Sequence, residues 1–346
     1  MRFLMAAMAA LVLMASPAVA QQNITAPSPT VPEGITVAKV MVPGPSLEGN
    51  LEGNDTTRHA MVVLPPSYAS SPERRYPVVY YLHGFAIDGE NFYNFMRVPE
   101  AVANNAAQGR EFIVVVPDSL TRLGGSMYSP SVTTGDFTRF IAHDLVAYID
   151  GHYRTIARRE GRALVGHSMG GYGTWQIGMR HPGVFAALWA QSACCVSPRR
   201  ETVESAQRLA AIPLEDGIKA DFGTRAALSS MVAWSPNPQN PPYYADFPIR
   251  DGALDETVLA KWANNSPLAM VASHIPALQS YAAIGADVGD KDGLVVDDTL
   301  IHEELARFGI AHRWEVYDGT HVDKIGPRFD SVVLPFMAEH LDMGGE

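Results

Sequence analysis

The residues best equipped for chemistry in this chain lie in Gly166-His167-Ser168-Met169-Gly170. The apolar run Ala163 to Val165 leads into this stretch, and a helix-forming segment follows it. A serine on a tight Gly-x-Ser-x-Gly turn between a strand and a helix projects its hydroxyl outward. The flanking glycines let strand and helix approach more closely than a Cβ would allow. A serine hydroxyl is a poor nucleophile at neutral pH, so it needs a base to take its proton and a carboxylate to orient that base. The chemistry in prospect is nucleophilic acyl transfer through Ser168.

On such an elbow the partners follow in the chain order serine, acid, histidine, each on a loop after a strand. Of eleven histidines, His302 and His340 fall in predicted helices, His312 begins a predicted strand, and His274 precedes the strand that the acid should follow. His321 lies on Asp318-Gly-Thr-His321, directly past the predicted strand His312 to Tyr317, and is the candidate base. Three aspartates in Gly285-Ala-Asp-Val-Gly-Asp-Lys-Asp-Gly-Leu294 compete for the acid. Asp292 sits deepest in the loop, and its spacing from Gly289 lets the backbone send the carboxylate back toward the imidazole. Asp287 and Asp290 read as caps of turns or of the next helix. A tetrahedral intermediate also needs two N–H donors, for which the candidates are the backbones of Met169, after the nucleophile, and Phe85, in His83-Gly84-Phe85. His83 itself reads as a loop-organising side chain with no part in proton transfer.

The elements that would position these groups alternate. Val37 to Val42 and His59 to Pro65 read as early strands around a turn-rich hairpin connection. Tyr76 to Leu82 and Glu111 to Val116 are apolar runs that end in loop chemistry, the mark of parallel strands covered on both faces. In Phe137 to Ile149, the residues Phe137, Phe140, Ile141, Leu145, Tyr148 and Ile149 fall on one helical face. A helix from Met169 to about His181 and a strand from Val184 to Gln191 follow. From Val196 to His274 the alternation lapses among prolines and aromatic residues, and this stretch (196–274) reads as an irregular, cap-like insertion near the site, with Trp234 and Tyr243 as candidate substrate contacts. A strand Leu278 to Ile284, a helix Asp298 to Phe308, the strand His312 to Tyr317 and a helix Pro327 to Leu341 complete the pattern.

The chain has 346 residues and a net charge of −11, with Lys and Arg interspersed among acids, which argues against a nucleic-acid or anionic-membrane partner. Met1-Arg2, the apolar run Phe3 to Met14 and Ala18-Val19-Ala20 read as an export signal over residues 1–20, cleaved after Ala20. That run is shorter than the ~20 apolar residues of a membrane anchor, so the mature chain is expected to be periplasmic or secreted and to lack a membrane span. Residues 21–36 form a leader and 37–346 a single catalytic domain. The two cysteines, Cys194 and Cys195, are adjacent. They lack the spacing of a zinc site and read as small buried residues, with a strained vicinal disulfide as the other option. No metal-ligand cluster or dinucleotide signature is present in a fitting context, so no metal or organic cofactor is expected.

Taken together, Tyr76-Pro-Val-Val-Tyr-Tyr-Leu-His-Gly-Phe85, Gly124-Gly-Ser-Met-Tyr128, Asp144-Leu-Val-Ala-Tyr-Ile-Asp150, Tyr153-Arg-Thr155, Gly166-His-Ser-Met-Gly-Gly-Tyr-Gly173 and His181-Pro182 resemble the putative-esterase family of α/β-hydrolases. The likeness runs from about Val37 to Leu341. That family holds feruloyl and acetylxylan esterases, S-formylglutathione hydrolases, enterochelin esterases and mycolyltransferases. The resemblance implies an α/β-hydrolase fold with a mostly parallel sheet, helices on both faces and a serine esterase activity. Gly289-Asp-Lys-Asp-Gly-Leu294 is similar to the family's acid loop, in which the second aspartate belongs to the triad, and this supports Asp292. Asp318-Gly-Thr-His321 is similar to the histidine loop, with Thr320 where many members carry glycine. The expected activity is a carboxylic-ester hydrolase acting on small-molecule or carbohydrate esters. An acyltransferase with the same triad, and a non-catalytic binding protein on the same scaffold, are the alternatives; oligomeric state is not legible.

Overall fold

The computed structural model describes residues 26–344, so the expected export signal, residues 1–20, lies outside the described residues. Eight strands form one sheet: β1 (Thr36–Pro43), β2 (Thr57–Leu64), β3 (Val78–Leu82), β4 (Ile113–Pro117), β5 (Arg162–His167), β6 (Ala187–Gln191), β7 (Ala283–Gly289) and β8 (Arg313–Tyr317). Their order is β1-β2-β4-β3-β5-β6-β7-β8. The hairpin partners β1 and β2 are antiparallel, β2 meets β4 antiparallel, and every other pairing is parallel. Every residue of β3, β4 and β6 is buried, as continuous apolar strands covered on both faces must be.

The helices that cover those faces are α1 (Gly89–Met96), α2 (Val98–Ala106), α3 (residues 137–152), α4 (Met169–Arg180), α5 (Phe222–Trp234), α6 (Val295–Arg307) and α7 (residues 325–340). One apolar core joins α3, α4, α5 and α6 to one face, and a second joins α1, α2 and α7 to the other. In α3 the turn Phe140–Leu145 is π-helical, and a π turn accommodates one extra residue. That phase shift buries Val146 and leaves Tyr148, expected on the buried face, half-exposed and stacked on His152.

Two expectations are corrected. The run Leu278 to Ile284 is not a strand: Ile275–Gln279 is a short helix with Pro276 in its first turn, and the strand is Ala283–Gly289. Gly285 is required within it, because a Cβ there would lie 2.1 Å from the ring of Trp189. Asp287 consequently sits inside β7 rather than capping a turn. It is fully buried and bonded to Arg328 Nε at 2.6 Å, while Arg328 also pairs with Glu315 and lies over the Tyr317 ring. Burial pushes the Asp287 carboxyl up to about 6 against the pull of that guanidinium.

The stretch 196–274 is also more regular than expected. Besides α5 it holds the helices Val203–Ala210, Leu214–Ile218, Glu256–Ala263 and Pro267–Met270. Side chains of Thr202, Asp221, Asp255 and Ser266 cap four of these five helices, each accepting a first-turn N–H. The buried residues Leu228, Met231 and Val232 join the main core.

A buried carboxylate that loses its counter-ion costs several kcal/mol. Arg328→Met is expected to destabilise the fold by about 3–5 kcal/mol in urea denaturation, whereas a loss below ~1 kcal/mol would show that the Asp287–Arg328 pair is dispensable.

Candidate active site

The parallel strands end on one side of the sheet, and their register brings the candidate residues together. Leu82 pairs with Gly166, His167 with Gln191, and Gly289 with Tyr317. The loops that start at His83, Ser168, Ser192, Asp290 and Asp318 therefore leave the sheet at one level.

Ser168 joins β5 to α4 with φ 57° and ψ −115°, a left-handed conformation that costs a β-substituted residue ~1–3 kcal/mol. The glycines on either side make this turn feasible. A Cβ at Gly166 would lie 2.0 Å from the Gly170 carbonyl oxygen, and one at Gly170 would lie 2.1 Å from that of Leu82. The turn leaves Ser168 half-buried, and its Oγ is 3.0 Å from His321 Nε2. His321 Nδ1 is 2.8 Å from Asp292 Oδ2, so the three side chains form one hydrogen-bonded row. Such a row can draw a proton off the hydroxyl and stabilise the resulting imidazolium.

The acid loop and the histidine loop are packed backbone to backbone. A Cβ at Gly289 would lie 2.3 Å from the Gly319 carbonyl oxygen, and Lys291 N–H donates to that oxygen at 3.0 Å. Asp290 Oδ1 accepts from Gly319 N–H at 3.0 Å, so this aspartate pins the histidine loop. The Thr320 N–H donates to Asp323 Oδ1 at 2.8 Å. Asp292 is 5 % exposed, and its Oδ1 accepts from Leu294 N–H at 2.9 Å. Burial alone would raise its pKa, but the hydrogen bonds from His321 and Leu294 outweigh it and hold the carboxyl below its ordinary value.

The loop that starts at His83 lies against Ser168: a Cβ at Gly84 would be 3.4 Å from Ser168 Cβ. His83 is fully buried and kept neutral by burial; its Nδ1 contacts the Gly84 carbonyl at 2.7 Å, and its Nε2 accepts from Ser119 N–H at 2.8 Å. Its side chain thus shapes the loop that carries Phe85. Met169 is the first residue of α4, where backbone N–H groups have no intrahelical acceptor.

One positioning residue was overlooked in the motif itself. His167 Nε2 donates to the His321 carbonyl at 2.9 Å, the two rings lie 4.7 Å apart, and Phe92 stacks on the other side of His167. Burial, followed by the neighbouring His321, lowers its pKa to about 3, so it remains a neutral N–H donor. The signal was available: a histidine at the end of a strand facing the loop of the candidate base.

Trp234 and Tyr243, expected as substrate contacts, are each 5 % exposed. Trp234 packs between Tyr172 and Trp262, and Tyr243 donates its hydroxyl to the Ile212 carbonyl at 3.1 Å. Both aromatics are spent on joining the insertion to the core. Cys194 and Cys195 are free thiols, half-buried rather than buried, with sulfurs 2.9 Å apart, and Cys194 N–H donates to the Ser168 carbonyl at 3.1 Å. Among the described residues no group of three or more His, Cys, Asp or Glu gathers to hold a metal, and no helix is long and apolar enough to cross a membrane.

The sheet order and the serine elbow define an α/β-hydrolase fold. More specifically, the chain belongs to the family described as "Putative esterase", whose profile matches residues 53–324. It is 32 % identical over 138 residues to Esterase Rv1288 of Mycobacterium tuberculosis, covering 38 % of this chain and 28 % of that protein. It is 32 % identical over 142 residues to an endo-1,4-beta-xylanase/feruloyl esterase of Xylanibacter ruminicola, covering 39 % of this chain and 19 % of the relative. The similarity thus spans under a third of either curated relative. A solved ferulic acid esterase superposes with a TM-score of 0.65 at 22 % identity, covering 89 % of this chain and 98 % of the other. An S-formylglutathione hydrolase from Agrobacterium tumefaciens superposes at 0.59 and 18 % identity, covering 92 % and 100 %. At these identities the structural likeness speaks for the fold.

Because the folded-state pKa of His167 is depressed, the unfolded chain binds a proton that the native chain does not. Stability therefore rises with pH between about 3 and 6.5 and is lost as pH falls through that window. Thermal melts from pH 7 downward are expected to show a smaller acid loss in His167→Gln than in wild type, and equal slopes would contradict the assignment of a buried neutral imidazole.

Proposed function

We propose that the protein is an exported carboxylic-ester hydrolase that works through Ser168, His321 and Asp292 and a covalent acyl-enzyme. The observation that carries this reading is the continuous row from Ser168 Oγ through His321 to Asp292, with contacts of 3.0 and 2.8 Å. His321 Nε2 takes the proton of Ser168 as Oγ bonds to the ester carbonyl carbon, and Asp292 holds the Nδ1–H and balances the imidazolium charge. The carbonyl oxygen becomes an oxyanion that the N–H groups of Met169 and Phe85 receive; one such donor is typically worth ~3–4 kcal/mol of barrier. The imidazolium returns its proton to the alcohol oxygen as that C–O bond breaks, leaving the acyl group on Oγ. Water, deprotonated by the same Nε2, then attacks the acyl carbon, and the imidazolium returns that proton to Ser168 Oγ as the C–Oγ bond breaks and the acid leaves.

Export follows from the basic, apolar and Ala-x-Ala order of residues 1–20. Aromatic-acyl or carbohydrate esters are the proposed substrate class, supported by the feruloyl esterase named among the relatives and the ferulic acid esterase among the structural neighbours.

Turnover of p-nitrophenyl acetate and methyl ferulate by wild type and Ser168→Ala tests the reading. The variant is expected to lose about a thousandfold or more in kcat/KM while melting at the wild-type temperature. Turnover kept within about tenfold would contradict a serine nucleophile.

A further inference from the structure

The insertion meets the candidate site through one helix end. Asp221 caps α5, accepting from Thr224 N–H at 3.1 Å and from its hydroxyl at 2.7 Å. Two residues of the following turn reach the loop that starts at His83. The Phe222 ring meets the Phe85 ring edge-on with centroids 5.2 Å apart, and the Arg225 guanidinium lies 6.0 Å from the Phe85 centroid. Gly124 and Gly125 complete this layer. A Cβ at Gly125 would come within 2.4 Å of Met169 Sδ and 2.8 Å of Phe85 Cδ2; one at Gly124 would come within 2.7 Å of Arg225 Nη2 and 2.8 Å of Phe85 Cζ. Arg225 thus packs on the Phe85 ring and Gly124, and Ser229 of the same helix donates to the Gly125 carbonyl to hold the layer together.

No anionic partner accounts for a cation at this position. The first turn of a helix is its positive end, so an arginine there works against the macrodipole. Among the described residues Arg225 forms no ion pair: its Nε–H donates to the Leu123 carbonyl at 3.3 Å. Asp221 is committed to Thr224, and Glu215 is bonded to Arg122 at 2.7 Å. Desolvation lowers the Arg225 pKa with no anion offsetting it. A guanidinium carries five N–H donors in a planar fork that matches a carboxylate, and Phe222 beside it is 45 % exposed, an uncovered aromatic edge.

We propose that Arg225, Phe222 and Phe85 form a subsite for a carboxylate carried on the aromatic or apolar half of the ester, so that the preferred substrate is an anionic ester. The proposal rests on Ser168 as the nucleophile only for its turnover readout; binding reads the subsite independently.

The test compares p-acetoxybenzoate with its methyl ester for a charge on the alcohol side, and p-nitrophenyl monoadipate with p-nitrophenyl hexanoate for a charge on the acyl side. Wild type is expected to favour the anionic member of one pair by roughly tenfold to a hundredfold in kcat/KM, the range of a charge-assisted hydrogen bond. The ratio is expected to shrink with added salt, to approach one in Arg225→Gln and to fall below one in Arg225→Glu, because it is internal to each preparation and insensitive to the fraction folded. Arg122→Gln, which alters an exposed neighbouring cation, is expected to leave the ratio as in wild type. A wild-type ratio near one in both pairs, or a preference that survives in Arg225→Gln, would overturn the proposal. Calorimetric titration of the same esters into Ser168→Ala is expected to show the same preference, erased when Arg225→Gln is added. Equal binding of anionic and neutral esters there overturns the subsite. Preferential binding with turnover that persists in Ser168→Ala upholds the subsite and refutes the nucleophile.

Discussion

The left-handed turn at Ser168 is the constraint to which the surrounding structure is fitted. Its conformation is disfavoured for any residue bearing a Cβ, and it persists because a hydrogen-bonded sheet and a packed helix over-determine it. The fit is tight enough that Gly166 faces the Gly170 carbonyl and Gly170 faces the Leu82 carbonyl with no room for a methyl group. That contact couples the elbow to β3, the strand whose loop carries Phe85. The backbone that orients the hydroxyl is thereby packed against the strand that leads into His83, Gly84 and Phe85.

The histidine side of the site adds hydrogen bonds to the close packing of Gly289 on Gly319. His321 is held at three points: Asp292 at Nδ1, Ser168 at Nε2 and His167 at its carbonyl. Asp290 fixes the preceding turn through Gly319. These contacts hold the base on a loop with a partly exposed side chain. The electrostatics agree with this division of labour. Burial keeps His83 and His167 neutral, as structural donors and acceptors, while the hydrogen bonds to Asp292 keep that carboxylate ionised despite its burial.

Much of this arrangement was legible in the amino-acid order. The elbow is a local motif, and the order serine, acid, histidine follows from strands that end on one side of a parallel sheet, so Ser168, Asp292 and His321 could be picked out by spacing. The early hairpin and the buried strands were legible for the same reason: their signals lie within a few residues. The differences had both long-range and local causes. Asp287 reads as a loop residue because its partner Arg328 comes 41 positions later, and an isolated carboxylate is out of place in a buried parallel strand. Tyr148 was placed on the wrong face because a π turn cannot be seen in apolar spacing. In the insertion, Asp221 and Asp255 were valid helix-start signals, but prolines and aromatics drew the reading toward irregular chain. Trp234 and Tyr243 were assigned to substrate for their chemistry; their burial depended on a core built from distant segments.

The proposed chemistry requires that His321 activate Ser168. Treating wild type, Ser168→Ala and His321→Ala with a fluorophosphonate probe, followed by peptide mapping, tests it most directly. One adduct per chain is expected, on Ser168, absent in Ser168→Ala and strongly slowed in His321→Ala. An adduct on another residue, or labelling of Ser168 at an unchanged rate without His321, would contradict it.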